Sequence, residues 1–191
     1  MQRPVWIKVL HGLVALAVAH QLLISTIMHP PVRGGEGDFW FELHEFAGLA
    51  SLVLLVVFTL ALLLHRGSGA ARLFPWLSPS GWAALGTDVA LHVRALTKLR
   101  LPEYRQEGAL AGAVHGAGLI VIAGAAVTGA LWWGLRAVEP QLARQSIALH
   151  EPLATLAWVF VIAHASLALL HELSGHRVLG AMFARGRSND R

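Results

Sequence analysis

Four long stretches of the chain contain no Asp, Glu, Lys or Arg: residues 9–28, 46–64, 108–135 and 152–171. Each is close to the roughly 20 apolar residues a helix needs to cross the hydrocarbon layer. The pattern predicts an all-α membrane protein, a four-transmembrane-helix up-down bundle forming one domain over residues 1–191. The first stretch ends in STIMHPP, with no small-x-small cleavage site, so it is expected to stay as a mature helix rather than be removed as a signal peptide. The connection HPPVRGGEGDFWFE has the Pro and Gly of a loop, and its Phe39-Trp40-Phe41 cluster suits a membrane interface. The connection between the second and third spans is too long for a turn. Within it Trp82, Leu85, Val89, Val93, Leu96 and Leu99 recur at helical spacing, with Asp88, Arg94, Lys98 and Arg100 supplying a polar side. This predicts an amphipathic helix lying on the cytoplasmic lipid surface.

Composition supports the membrane reading, because 55% hydrophobic and 14% charged residues is too apolar a balance for one soluble core. Charge then sets the orientation. Of the 15 Lys and Arg residues, all but Arg33, Arg136 and Arg144 lie at the N-terminus, in the long middle connection or at the C-terminus. Basic flanks are retained in the cytoplasm, so both termini are expected there. These cations flank spans and can meet anionic head groups, so membrane lipid is the implied partner and nucleic acid is not. The absence of cysteine excludes disulfides, thiolate metal sites, cysteine-ligated iron–sulfur clusters and covalent c-type haem.

The chain has 11 histidines, and a polar ring inside a span is costly unless it has a task. The run HEPLATLAWVFVIAH places His150 and His164 fourteen positions apart. That is roughly 21 Å of helical rise and a return to within about 40° of the starting direction, so the two share a face at two depths. Ala154, Ala157, Val161 and Ala168 line the same face, whereas Leu153, Trp158 and Phe160 are expected to point elsewhere. Such a shallow strip suits two stacked planar macrocycles, each approaching the helix to meet an axial imidazole. In an up-down bundle His44 lies level with His150 on the external side. His11, His115 and His164 form a cytoplasmic trio whose pairing depth alone leaves open. Gly12, Gly48 and Gly116 would give ring edges room. His20 is expected to be a packed interior residue, and His29, His65, His92 and His176 surface or interfacial ones. His171 shares the face of His164 and is a candidate for proton relay or quinone contact. Zinc is disfavoured because no HxxxH pair gathers ligands at one point.

The segments LHGLVALAV, LHEFAGLASLVLLVVF, VHGAGLIVIAGAAVTG and LHEPLATLAWVFVIAHASLALLH together resemble the bacterial cytochrome b561 family. The broader group includes nickel–iron hydrogenase cytochrome b and the formate dehydrogenase gamma subunit. The resemblance covers all four spans and is most specific in the last, where HExLA is followed by histidines fourteen and then seven residues further on. It implies a multi-pass protein of the bacterial inner membrane that binds two non-covalent haems b and exchanges electrons with ubiquinone or menaquinone. Carried over by residue, it implies His11 with His164, and His44 with His150, as haem-iron axial ligands. His115 would be a non-ligand close to the cytoplasmic haem. Two departures stand out: VVFTLALLLHR lacks the arginine often found inside the second helix of the b561 branch, and PWLSPSGW looks more like the formate dehydrogenase gamma or thiosulfate reductase branch.

Transmembrane electron transfer between the quinone pool and an external redox partner is therefore the expected function, with His115, His171 and Arg105 as candidates for the quinone or proton site. The chain would serve as the cytochrome b subunit of a respiratory oxidoreductase with a periplasmic redox subunit or donor. Alternatively it would act alone, as in b561-type superoxide:quinone oxidoreductases. A non-redox alternative, a histidine-containing transporter or anchor, is disfavoured because none of the four stretches holds an acidic residue.

Overall fold

The computed structural model describes residues 4–31, 35–65, 70–98 and 108–175. The helices are α1 (Val5–Ile24), α2 (Phe39–Leu64), α3 (Ala70–Leu73), α4 (Pro79–Thr97), α5 (Ala109–Leu135) and α6 (Pro140–Leu173), with a 3₁₀ turn at Pro75–Leu77. Four of them, α1, α2, α5 and α6, are long and apolar enough to cross a membrane. Among the described residues there are no strands.

The helix ends follow local chemistry. Asp38 caps α2 by accepting from the Phe41 N–H at 2.8 Å, and Ser78 caps α4 by accepting from Gly81 N–H at 3.1 Å, with Pro79 at the first helical position. Gly108 brings no side chain to the start of α5. Asp88, buried on α4, supplies the acceptor instead, taking the Leu110 N–H at 3.1 Å. Asp88, expected on the polar side of α4, faces α5, whereas Trp82, Val89, Val93 and Leu96 are exposed along with Arg94 and Lys98, and Leu85 is half-buried. Leu99 and Arg100 lie outside the described residues. The helix that holds the fourth apolar stretch begins at Pro140, and Pro152 sits inside it. A proline costs a helix one backbone hydrogen bond, which membrane helices tolerate when neighbours re-satisfy the carbonyl. Gly175, at φ 88°, lies just beyond α6, in the left-handed conformation that commonly ends helices.

Packing runs in order: α1 on α2, α2 on α5, α5 on α6. The buried cluster is Ile7, Val14, Leu55, Phe58, Leu62 and Leu73, with Leu119 and Ile122 of α5 against it. No α6 residue belongs to that cluster. Helix α6 is instead keyed to α5 through three glycines, where a Cβ at Gly118 would meet the Phe160 ring, one at Gly124 Leu153, and one at Gly129 His150. Small residues let helices approach closely where lipid offers no hydrophobic drive. A second pair, Gly112 and Gly116, lies under the carbonyls of Arg72 and Leu73. Gly116 thus seats the Leu73 carbonyl and the edge of the Phe74 ring. The outward faces carry exposed aliphatics such as Leu16 (71%), Val53 (65%) and Val159 (62%), as lipid-facing helices do.

Candidate haem site

Near one end of the bundle, the ring centres of His44 on α2 and His150 on α6 are 6.3 Å apart. Toward the other end, those of His11 on α1 and His164 on α6 are 6.4 Å apart. Both α6 histidines lie on one uninterrupted helix, so helical rise separates them by roughly 21 Å. The third member of the trio, His115 on α5, approaches His164 edge-on with ring centres 5.0 Å apart.

These separations can be tested against iron ligation. With metal–nitrogen bonds of about 2 Å, and roughly 1 Å more from each nitrogen to its ring centre, two imidazoles on opposite sides of one metal have centres about 6 Å apart. Both pairs fit this spacing, whereas the edge-on His115–His164 contact is too close for it. Among the described residues, no group of three His, Cys, Asp or Glu converges as a site held by protein alone would require.

The surroundings of His150 fit a ligand. Its Nδ1 donates to the Ala125 carbonyl at 2.8 Å, with the Thr128 hydroxyl 3.3 Å away. That commits Nδ1 and leaves Nε2 to bind a metal, the usual arrangement for a ligating histidine. Gly129 lets the ring lie against α5: a Cβ there would stand 3.2 Å from its Cε1 and 3.3 Å from its Nδ1. His44 meets the amide of Gln21 on α1, one arm of which is 3.0 Å from Nδ1. Beside it, buried Glu45 accepts from Arg136, whose guanidinium lies 4.8 Å from the centre of the Trp132 ring.

At the other end Phe160 stacks on His164, with ring centres 5.3 Å apart and planes 18° apart, so Phe160 turns toward a ligand candidate and not away from it. His11 meets the edge of Phe58 in the core at 6.0 Å. Of the small strip on α6, Ala157 is buried and Ala154, Val161 and Ala168 are half-buried. Gly12 has open space around it, and Gly48 faces Gln21.

The remaining histidines sort differently. His20 is exposed rather than packed inside. His29 pairs with Asp38 at 2.9 Å, His65 meets the edge of the Trp6 ring, and His92 Nδ1 donates to the Asp88 carbonyl at 2.7 Å. His171 is half-buried on α6. Arg105 and His176 lie outside the described residues. Sequence reasoning missed Gln21, Thr128 and the series Gly118, Gly124 and Gly129. The VTG of the third span holds two of them, but only the partner helix reveals what they receive.

The family model described as prokaryotic cytochrome b561 matches residues 2–185. No curated protein and no solved structure matches the chain.

Proposed function

The chain belongs to the prokaryotic cytochrome b561 family, and from that premise we propose that it moves electrons across the bacterial inner membrane through two b-type haems. As a member it is a multi-pass bacterial membrane cytochrome of b type. The finer reading assigns His44 and His150 to one haem and His11 and His164 to the other. One observation carries it: two histidine pairs, at 6.3 and 6.4 Å, recur along a single helix with spacing suited to one iron each.

Bound haem supplies one-electron chemistry. The chain supplies everything else. Two imidazoles on each iron would leave no open position, which would favour electron transfer over activation of a bound substrate. The glycine-keyed α5–α6 contact holds both α6 ligands on one rigid helix. His115 donates from Nδ1 to the Ala111 carbonyl at 2.6 Å, which leaves Nε2 as its basic nitrogen beside His164. This suits a group that takes or gives a proton during quinone turnover, with His171 and Arg105 as further candidates. The basic flanks favour an orientation with this end, His11 and both termini on the cytoplasmic side. The His44–His150 end would then meet a periplasmic redox subunit or donor. The exposed Trp82, Val89, Val93 and Leu96 of α4 would rest on lipid.

The test is a pyridine haemochrome assay with reduced-minus-oxidised spectra on purified protein and on single histidine variants. Two haems b per chain are expected. His44→Ala and His150→Ala should lose one and the same haem, and His11→Ala and His164→Ala the other. Loss of a haem in His115→Ala but not in His11→Ala would refute the pairing. His115→Ala should keep both haems while slowing electron exchange with a soluble quinone analogue.

A further inference from the structure

Two rings of α6 reach α5 at glycines, and only one of them belongs to a candidate ligand. Gly118 and Gly129 stand about three helical turns apart and so share a face of α5. At Gly129 the imidazole of His150 itself lies against the backbone, with its Nδ1 bonded to the Ala125 carbonyl at 2.8 Å. At Gly118 the seated ring is Phe160, whose Cζ and both Cε atoms occupy the space a Cβ would need. His164 follows one turn later on α6, its ring centre 5.3 Å from that of Phe160 and its plane inclined by only 18°. Among the described residues His164 makes no hydrogen bond; its ring meets the face of Phe160, His115 edge-on at 5.0 Å, and the tilted ring of His11.

We infer that Phe160, seated on Gly118, is a positioning residue that fixes the ring plane of His164, and so sets the ligand geometry of the His11–His164 haem separately from that of the other. The inference rests on the haem-ligand reading above. An axial imidazole can turn about its bond to the metal unless something holds its plane. At His150 the bond from the second ring nitrogen does this. At His164 a parallel aromatic face takes its place: a turning imidazole would drive its edge into Phe160, and Phe160 cannot follow because its tip is wedged against the α5 backbone. The planes of His11 and His164 meet at 57°, and those of His44 and His150 at 88°. The angle between two axial planes governs how the iron d orbitals split, and with it the g values of a ferric low-spin haem. A ring held in one plane in both oxidation states also spares each electron transfer a movement of the ligand.

The experiment is electron paramagnetic resonance of the oxidised, haem-loaded protein in detergent, for the unmodified chain, Phe160→Leu and Gly118→Ala. The signal of the His11–His164 haem is the one absent from His164→Ala. Phe160→Leu keeps apolar bulk but has no flat face, so that signal should move in its largest g value and broaden while the other stays in place. Gly118→Ala leaves Phe160 intact and displaces its ring, so it should move the same signal. Thermal unfolding of the same proteins reads the seat independently of the spectrum. Gly118→Ala should lower the unfolding temperature by a few degrees when Phe160 is present and have little effect in Phe160→Leu, which lacks the ring atoms a new Cβ would strike. Should one single variant fail to assemble, the other decides alone. An unaltered His11–His164 signal in a folded variant, equal displacement of both signals, or additive unfolding effects would overturn the inference. An unmodified protein without haem, or His164→Ala with both haems, would instead overturn the ligand reading beneath it.

Discussion

Gly129 gives the sharpest handle on whether His150 works where the structure places it. A Cβ at this position would stand 3.2 Å from His150 Cε1 and 3.3 Å from Nδ1, so Gly129→Ala requires the ring to retreat by a few tenths of an ångström. The Nδ1 bond to Ala125, now 2.8 Å, would lengthen within the ordinary hydrogen-bond range, while the 3.3 Å approach of Thr128 would be lost. Losing one weak neutral contact costs about 1 kcal/mol, or roughly fivefold in affinity for the group the ring binds. Gly129→Leu cannot be absorbed this way. Its branched end would occupy the space of the imidazole, and relief requires the ring to swing off α5. Haem-to-protein ratios from pyridine haemochrome assays should therefore stay near two for Gly129→Ala, with a shifted spectrum, and fall to about one for Gly129→Leu. The haem kept should be the one lost in His164→Ala. A folded Gly129→Leu protein with full haem content and an unaltered spectrum would refute the placement of His150 or its role.

Further outcomes follow from contacts elsewhere in the chain. Gly116→Ala would drive a Cβ into the Leu73 carbonyl, which as backbone cannot give way locally, so thermal unfolding in detergent should show a loss of about 1–3 kcal/mol. Gly86→Ala on α4, with open space around it, should instead gain up to about 1 kcal/mol. Arg136→Leu should destabilise more than the double variant with Glu45→Leu, because the single change leaves a buried carboxylate without its cation, and a double-mutant cycle of unfolding temperatures checks this. In the loop before α2, the hydrogen bond from His29, followed by those from the Phe41 and His29 backbone, holds the Asp38 carboxyl below its usual value of 3.8. A depressed acid stabilises the fold above its unfolded pKa and loses that contribution as pH falls through the folded value. Protection of the amides in the first turn of α2, taken relative to their intrinsic exchange rates, should accordingly fall below about pH 4, and Asp38→Asn should abolish that fall.

The sequence by itself determined the membrane class, the four spans and the two depths of histidine. Charge-free stretches and helical rise are properties of a single segment and need no neighbour. It also put His150 and His164 on one face, because both ride the same helix. It left His11, His115 and His164 as an unsorted trio at one depth. Lateral distance between helices, 6.4 Å in one case and an edge-on 5.0 Å in the other, is set by packing and by no local pattern. The fourth long helix, α6, runs through Pro152 and carries it inside. Only the tertiary structure decided what each glycine receives: Gly116 a backbone carbonyl, Gly118 the Phe160 ring, Gly129 an imidazole. It alone brought Gln21 to His44 and turned Asp88 from an exposed polar face to the start of α5. A missing side chain is legible in the sequence, but what fills the space belongs to the partner helix.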